Sequence, residues 1–452
     1  MRWSLRAVAA LSAVGLGLAP VAPAHATPGP GQYQWWFKSW SIQEEVWPLT
    51  KGKGVTVAVI DTGVNASLPD LRNVVLPGKN FRTGEGDGRK DVDQHNEGHG
   101  TAMASLIASQ GTSSGFVGIA PEAKILPIAS SVSGPQTAES VRYAVDHGAK
   151  VVNISQASET ADSYPNLCPP ELLEAIKYAA KNDVVIVAGT GNSGNFNNKP
   201  AYPASCPGVV AVGALGQDGK PWESTQRQDY VTVGAPGAGV GAIGKSGHVF
   251  TTGAGTSQAS ALTSGAVALM RSHFPQMSAR EIVQRLTNTA KDFGPTGKDD
   301  LVGYGVISIP RALKQDVPKS APNPVYERLD KAIAAGGGKK DGTAGGDAES
   351  TGAQTESDEG SGILLPLAVG GIVVVLVIAL GGFLIVRSRK KTPSGAPPMQ
   401  TMPPPGFAGP GGPQQPPYQP SFQPPNQPPA PPSGPAGPPP GPSGPSGPPP
   451  GR

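Results

Sequence analysis

Short apolar runs alternate with amphipathic stretches between residues 55 and 273 of this chain. The apolar runs are rich in β-branched residues, which predicts strands buried on both faces, and the amphipathic stretches have helical spacing. Strands that alternate with helices in this way predict an α/β fold, a doubly wound and mostly parallel sheet flanked by helices. The predicted strands are 55–60, 123–129, 150–155, 184–188 and 209–215, and the predicted helices are 101–109, 137–147, 170–181 and 259–273.

Polar or glycine-rich positions follow several of these predicted strands. Asp61 ends the first strand, Ser155 ends the third, and a glycine-rich segment, 189–194, follows the fourth. Ligand sites in doubly wound sheets form beyond the carboxyl ends of the strands. The pattern therefore predicts a functional site at this edge of the sheet.

Three short segments carry residues suited to nucleophilic catalysis. A serine hydroxyl is a weak nucleophile unless a base takes its proton, and histidine suits that role near neutral pH. We interpret Ser257 as the nucleophile, His99 as the base and Asp61 as the carboxylate that orients the base. Taken alone, Ser257 is typical of a helix N-cap, and Asp70 is typical of a turn. In chain order the segments are Asp61-Thr62-Gly63, His99-Gly100-Thr101 and Gly255-Thr256-Ser257.

These segments, in this order and with these local contexts, resemble the subtilisin-like serine peptidases. The resemblance covers residues 40–315. It implies a subtilisin-like fold and an acyl-enzyme formed on Ser257. It also implies that Asn192 donates its side-chain amide to the oxyanion, together with the Ser257 backbone N–H.

The resemblance also implies a segment that binds substrate as an extended strand. Related enzymes have Ser-Leu-Gly there, whereas this chain has Ser155, Gln156 and Ala157. Edge pairing with a peptide is still expected from this segment. Two further departures follow the nucleophile, since Gln258 replaces a frequent methionine and Ala261 replaces a usual proline. Alanine is a good helix former, so we expect the helix to persist.

The composition limits which cross-links, cofactors and partners are expected. The chain contains two cysteines, Cys168 and Cys206, and an even count in an oxidising compartment predicts one disulfide. No basic stripe with interleaved aromatics is present, so no nucleic-acid partner is expected. Asp87, Asp91 and Asp93 cluster without the spacing of a calcium loop, so no metal ligand is assigned and no cofactor is expected. Subtilisin-like enzymes often bind calcium, and the resemblance leaves calcium binding open.

The two ends of the chain predict export and membrane anchoring. Arginines before an apolar run, followed by a small-residue site at Ala26, indicate a cleaved signal peptide; the run is short for a signal anchor. A second apolar run, 363–386, has the length of a membrane span, and basic residues follow it, which places that end in the cytoplasm. The predicted organisation is a signal peptide (1–26), an N-terminal extension (27–50), a peptidase domain (51–315), a flexible linker (316–362), a transmembrane helix (363–386) and a Pro-rich disordered tail (387–452).

This layout resembles the mycosins, the membrane-anchored peptidases of actinobacterial type VII secretion. The resemblance implies a cell-membrane endopeptidase that faces outward, cleaves exported proteins and contacts components of a secretion complex. Two alternatives stay open at this point. One is a scaffold that stabilises such a complex with little or no proteolysis, and the other is an adaptor that acts through its Pro-rich tail.

Overall fold

Seven strands form one sheet in the computed structural model, which describes residues 27–94, 97–294 and 296–337. The strands are β1 (Thr56–Asp61), β2 (Lys79–Asn80), β3 (Lys124–Ala129), β4 (Val151–Ile154), β5 (Val185–Gly189), β6 (Val209–Leu215) and β7 (Val233–Pro236). Their order is β2-β3-β1-β4-β5-β6-β7, and every neighbouring pair is parallel. A separate antiparallel pair, β8 (Ala242–Ile243) and β9 (Val249–Phe250), lies outside this sheet. The predicted doubly wound α/β architecture is confirmed.

Helices connect and cover the strands. They are α1 (Trp36–Ser39), α2 (His99–Ala108), α3 (Gly134–Asp146), α4 (Pro170–Lys181), α5 (Thr256–His273), α6 (Ala279–Asn288), α7 (Ile309–Lys314) and α8 (Pro324–Gly337). Helix α5 is buried along almost its whole length and packs on β4, β5, β6 and β7. It begins at Thr256, three residues before the predicted start, so Ser257 lies in its first turn.

Residues 27–50 pack against the rest of the fold. Trp36 is fully buried, and the Gln34 side chain donates to the Val117 carbonyl at 2.7 Å and accepts from the Val117 amide at 3.2 Å. The Trp47 indole donates to the Ile119 carbonyl at 2.9 Å. The buried Trp36 ring and the hydrogen bonds of Gln34 and Trp47 tie this segment to the loop before β3.

The prediction of a flexible linker from residue 316 is wrong for its first part. Residues 324–337 form α8, whose inward face buries Val325, Tyr326 and Leu329. The Arg280 guanidinium lies 4.7 Å from the Tyr326 ring centroid and pairs with Asp330 at 2.6 Å. The Gly- and acid-rich composition of the later linker obscured an amphipathic helix at its start.

Predicted segments at both ends, one at the N-terminal end and three at the C-terminal end, lie outside the described residues. These are the signal peptide (1–26), the remainder of the linker, the transmembrane helix (363–386) and the Pro-rich tail (387–452). Within the part of the chain that the structure describes, none of the helices has the length and apolarity needed to cross a membrane.

The predicted disulfide is confirmed. Cys168 and Cys206 are joined across a sequence separation of 38 residues, and both are buried. Cys168 lies two residues before α4, and Cys206 lies three residues before β6. The bond therefore links two connections of the sheet that are distant in sequence.

Removing this cross-link is expected to destabilise the folded chain. In the chain-entropy model, a loop of this length contributes about 4 kcal/mol by restricting the unfolded state. We expect the variant with both Cys168→Ser and Cys206→Ser to lose about that free energy of unfolding in urea. The same urea unfolding measured on the oxidised wild type and on the wild type reduced with dithiothreitol provides the comparison with and without the disulfide. Equal midpoints for all of these samples would contradict the prediction.

Candidate active site

Asp61 and His99 are brought together at the carboxyl end of β1. Asp61 is the last residue of that strand and is fully buried. His99 Nδ1 lies 2.9 Å from each carboxylate oxygen of Asp61. A carboxylate in this position accepts the Nδ1 proton and leaves Nε2 as the basic nitrogen of the neutral ring.

Glycine at position 100 permits this contact. A Cβ atom placed on Gly100 would lie 2.2 Å from the Gly63 carbonyl oxygen and 3.2 Å from the Asp61 Cβ. The first turn of α2 can therefore approach β1 closely only without a side chain there. This steric requirement is the physical reason for glycine after His99.

Side chains from neighbouring loops satisfy the first three amides of α2. The His99 amide donates to Asp93 at 3.0 Å, the Gly100 amide to the Thr62 hydroxyl at 2.9 Å, and the Thr101 amide to Asp91 at 2.9 Å. The residue before the helix is a glycine and supplies no cap of its own. Helix amides that lack intrahelical partners need such acceptors, and these fix the position of His99.

The carboxylates around His99 also govern its charge. Burial lowers the pKa of the imidazole, but the charge and hydrogen bond of Asp61 raise it, as do the charges of Asp93 and Asp91. The net result is a pKa of His99 above its ordinary value of 6.5. Its side chain is 29% exposed, so the ring edge is open to solvent while the Asp61 carboxylate is closed off.

Ser257 lies in the first turn of α5 and is buried. Its hydroxyl donates to the Ser155 backbone carbonyl at 2.9 Å. Among the described residues, none of the hydrogen bonds joins Ser257 to His99. In this rotamer the Ser257 hydroxyl is directed to the Ser155 carbonyl, and the assignment of His99 as its base stays a prediction.

Asn192 is held beside Ser257 through the intervening threonine. Its side-chain oxygen accepts from both the amide and the hydroxyl of Thr256, each at 2.9 Å. Because the oxygen is occupied, the amide nitrogen keeps its two N–H donors for another group. The Ser257 amide lies in the first helical turn, where backbone N–H groups have no intrahelical acceptor. The predicted pair of oxyanion donors is thus adjacent.

A buried polar network supports the segment that follows β4. The Ser155 hydroxyl is within 2.9 Å of the Ser260 hydroxyl and accepts from the Asn153 amide at 2.9 Å. It also donates to the Ser257 carbonyl at 3.1 Å. Ser155 thus contacts the nucleophile through both its side chain and its backbone, whereas Gln156 and Ala157 project from the buried interior toward solvent.

Sequence reasoning did not assign roles to Asp91, Asp93 or Asn153. The spacing of Asp91 and Asp93 fits no metal motif, so their sequence pattern indicates no role. Their role as acceptors for the amides of α2 depends on a loop returning to the helix start. Within the described residues, no group of acidic, histidine or cysteine side chains has the geometry of a metal site.

Comparison with known sequences identifies the family. Residues 52–305 match the subtilase family, peptidase S8, and they make up more than half of the chain. The chain belongs to the subtilase family. The three motifs and the parallel sheet are thereby placed in a family of serine peptidases with this fold.

Individual subtilases show how far the similarity extends. Mycosin-1 of Mycobacterium tuberculosis is 34% identical over 329 residues, which cover 61% of this chain and 72% of that protein. Fervidolysin of Fervidobacterium pennivorans is 33% identical over 315 residues, but the match spans only 44% of its length. A solved structure described as the serine protease MycP1, an essential component of the type VII (ESX-1) secretion system, is 29% identical with a TM-score of 0.54; the match covers 65% of this chain and 91% of that one.

The raised pKa of His99 predicts the acid limb of the pH–rate profile. A general base must be neutral, so kcat/KM is expected to fall as pH drops through a value above 6.5. Replacing Asp93 with asparagine removes one of the negative charges that raise the pKa of His99, so this limb should move to lower pH. Asp87→Asn, a change at an exposed ion pair with Arg89, serves as the control and should leave the limb in place.

The interactions that raise the pKa of His99 also make the free energy of unfolding depend on pH, in a direction that can be predicted. Folding raises the pKa of His99, so the protonated ring adds to the free energy of unfolding. This contribution is complete below pH 6.5 and is lost as pH rises through the pKa of His99 in the folded state. For the kinetic prediction, a wild-type kcat/KM profile whose acid limb has its midpoint at or below pH 6.5 would contradict the predicted direction of the pKa shift.

Proposed function

We propose that this chain is a serine endopeptidase in which Ser257 attacks the peptide carbonyl. The observation that carries the proposal is the contact of His99 Nδ1 with both oxygens of the buried Asp61 carboxylate at 2.9 Å. A buried carboxylate paired in this way stabilises the imidazolium that forms when the base takes a proton. The site therefore favours proton removal from a hydroxyl near His99 Nε2.

The reaction begins with a rotation of the Ser257 side chain. Its hydroxyl leaves the Ser155 carbonyl and donates to His99 Nε2, exchanging one hydrogen bond for another. Ser257 Oγ then forms a bond to the substrate carbonyl carbon as its proton passes to His99. The imidazolium returns that proton to the leaving amine, the C–N bond breaks, and an acyl-enzyme is left. A water molecule, deprotonated by His99, completes hydrolysis.

Two donors stabilise the negative oxygen of the tetrahedral intermediate. The Asn192 amide nitrogen is free to donate because Thr256 holds its oxygen, and the Ser257 amide points from the first turn of α5. Donors fixed before the reaction need no reorganisation when charge develops. We propose that peptide substrates pair as extended strands along Ser155, Gln156 and Ala157.

We further propose that this activity faces the cell exterior. The signal-peptide pattern at 1–26, the apolar run at 363–386 and the basic residues that follow it support export and a single membrane anchor. A disulfide in the described region is consistent with an oxidising compartment. The Pro-rich tail would then lie in the cytoplasm.

A scaffold role in a secretion complex is the second candidate. It is supported by similarity to MycP1, which is described as an essential component of a type VII secretion system. Proteolysis and scaffolding are compatible in one chain. Under the scaffold reading alone, secretion would depend on the presence of the protein but not on Ser257.

A fluorophosphonate probe tests the peptidase proposal directly. The probe bonds covalently to a serine only when a base and oxyanion donors activate it. We expect the full-length chain to be labelled, with the adduct on the peptide containing Ser257. Absence of labelling in a chain with a cooperative thermal transition would overturn the peptidase proposal and favour the scaffold.

A further inference from the structure

The turn between β8 and β9 lies against the connection that leads into α2. In this turn the Gly244 amide donates to the His248 carbonyl at 2.8 Å. The Ile243 amide, just before the turn, donates to the Ser105 hydroxyl of α2 at 3.0 Å, and Ile243 is fully buried. The hairpin is therefore fixed to α2 by a buried strand, and Lys245, the next residue in the turn, starts from a defined position.

Lys245 contacts the described residues on both sides of that connection, 91–94 and 97–98. Its ammonium group donates to the Asp93 backbone carbonyl, and its own amide donates to the Glu97 carbonyl at 2.5 Å. An ammonium group that donates to a carbonyl forms a charge-assisted hydrogen bond, which is stronger than a bond between two neutral groups. One residue of the hairpin thus joins two points on the way into α2.

The lysine also packs closely on the residue before the helix. A Cβ atom placed on Gly98 would lie 2.4 Å from the Lys245 Cβ and 2.9 Å from Asp91 Oδ2. These approaches leave no room for a side chain at position 98, where the backbone has a φ of +93°. The Asn65 side-chain amide donates to the Lys245 carbonyl at 2.7 Å. Lys245 is thus held by its own backbone while its side chain holds the connection.

Asp93 connects this lysine to the predicted base. Its backbone carbonyl accepts from Lys245, while its carboxylate accepts from the His99 amide at 3.0 Å. Asp93 is buried, and its negative charge is one of the causes of the raised pKa of His99. A displacement of Asp93 would therefore change both the position of the imidazole and its tendency to hold a proton.

We propose that Lys245 is a positioning residue: by holding Asp93 at the start of α2, it keeps His99 in place to take the proton of the nucleophile. Among the described residues, the hydrogen bonds of Lys245 reach neither Asp61 nor Ser257, so it acts through Asp93. Reacting groups need exact placement, and a misplacement of about 1 Å can cost about 10²-fold in rate. This inference rests on the proposed endopeptidase function.

Lys245→Met tests the inference, because methionine keeps an unbranched stem and removes the ammonium group. In the full-length chain we expect kcat for a peptide to fall roughly 10–100-fold, with KM within about twofold of the wild-type value. Lys245→Arg keeps a cationic donor and should recover most of the wild-type kcat. Lys124→Met is the matched control and should leave kcat and KM unchanged. The Lys124 ammonium also donates to a backbone carbonyl, that of Asn73 at 2.7 Å, but it lies at the amino end of β3, away from the site.

The pH dependence of fluorophosphonate labelling separates positioning from a simple loss of charge. The charged groups that raise the pKa of His99 are Asp61 on β1 and, before α2, Asp91 and Asp93. Removing a cation without any displacement would stabilise the imidazolium and move the acid limb of the labelling rate to higher pH. Releasing Asp93 weakens its effect on His99, so for Lys245→Met we expect the limb at lower pH. Lys245→Arg should keep the wild-type limb.

The outcomes separate this inference from the function on which it rests. A folded wild type that the fluorophosphonate does not label would overturn the peptidase proposal itself. A labelled wild type whose Lys245→Met variant keeps the wild-type kcat, or has its acid limb at or above the wild-type position, would overturn the positioning role alone. An equal loss of kcat in Lys124→Met, or a loss in Lys245→Met that accompanies a lost cooperative thermal transition, would overturn that role as well.

Discussion

Ser257→Ala is expected to lower kcat by about 10⁶-fold, the size of the loss measured when subtilisin, a member of the same family, loses its nucleophile. Without the hydroxyl, no acyl-enzyme forms and His99 has no proton to accept. The oxyanion donors stay in place because the Ser257 amide is a backbone group and Asn192 is held by Thr256. A residual rate above that of water is therefore expected.

The measurement is single-turnover cleavage of a saturating peptide, with substrate binding measured separately by fluorescence anisotropy. We expect binding within about threefold of wild type, because alanine removes only a group used in the transition state. Ser272→Ala is the matched control on the same helix, since its hydroxyl contacts the Lys53 carbonyl far from the site. A Ser257→Ala chain that cleaves at the wild-type rate would exclude Ser257 as the nucleophile.

Asp61→Asn is expected to lower kcat by about 10⁴-fold while leaving the fold intact. The carboxylate accepts the His99 Nδ1 proton with both oxygens at 2.9 Å, whereas an asparagine amide can donate to that nitrogen. The ring then carries its proton on Nε2 and cannot accept one from Ser257. The loss of charge also removes stabilisation of the imidazolium.

Asp70→Asn provides a buried carboxylate for comparison. Asp70 accepts from the amides of Ser113 and Ser114, beyond the far end of α2 from His99. Helix α2 has 10 residues, and its length is about 15 Å. We expect Asp70→Asn to reduce the free energy of unfolding with kcat unchanged. If both variants reduced kcat equally, Asp61 would have no specific role as the partner of the base.

The pattern of apolar runs predicted the sheet because its strands are buried on both faces. The strand at 209–215 and the helix at 170–181 have the predicted bounds, and the flanking prolines and glycines explain that accuracy. Helix starts were less predictable. Both α2 and α5 begin earlier than predicted, at His99 and Thr256, because acceptors from distant loops cap their first turns.

The site was predictable where chemistry fixes the residue type and unpredictable where contact depends on loops. Asp61 and His99 follow from their motifs, and the structure places them in contact. The hydrogen bond of Ser257 to the Ser155 carbonyl depends on a side-chain rotamer, which no sequence pattern encodes.

Helix α8 changes how a mechanical load would enter this molecule. Any pull on the chain from beyond residue 337 reaches α8 before it reaches the sheet. The helix resists through Tyr326 and Leu329, through the pair between Arg280 and Asp330, and through Arg328, which donates to the Ser205 carbonyl at 2.8 Å. Ser205 adjoins the disulfide-bonded Cys206, so the contact made by Arg328 ends next to a covalent cross-link of the domain.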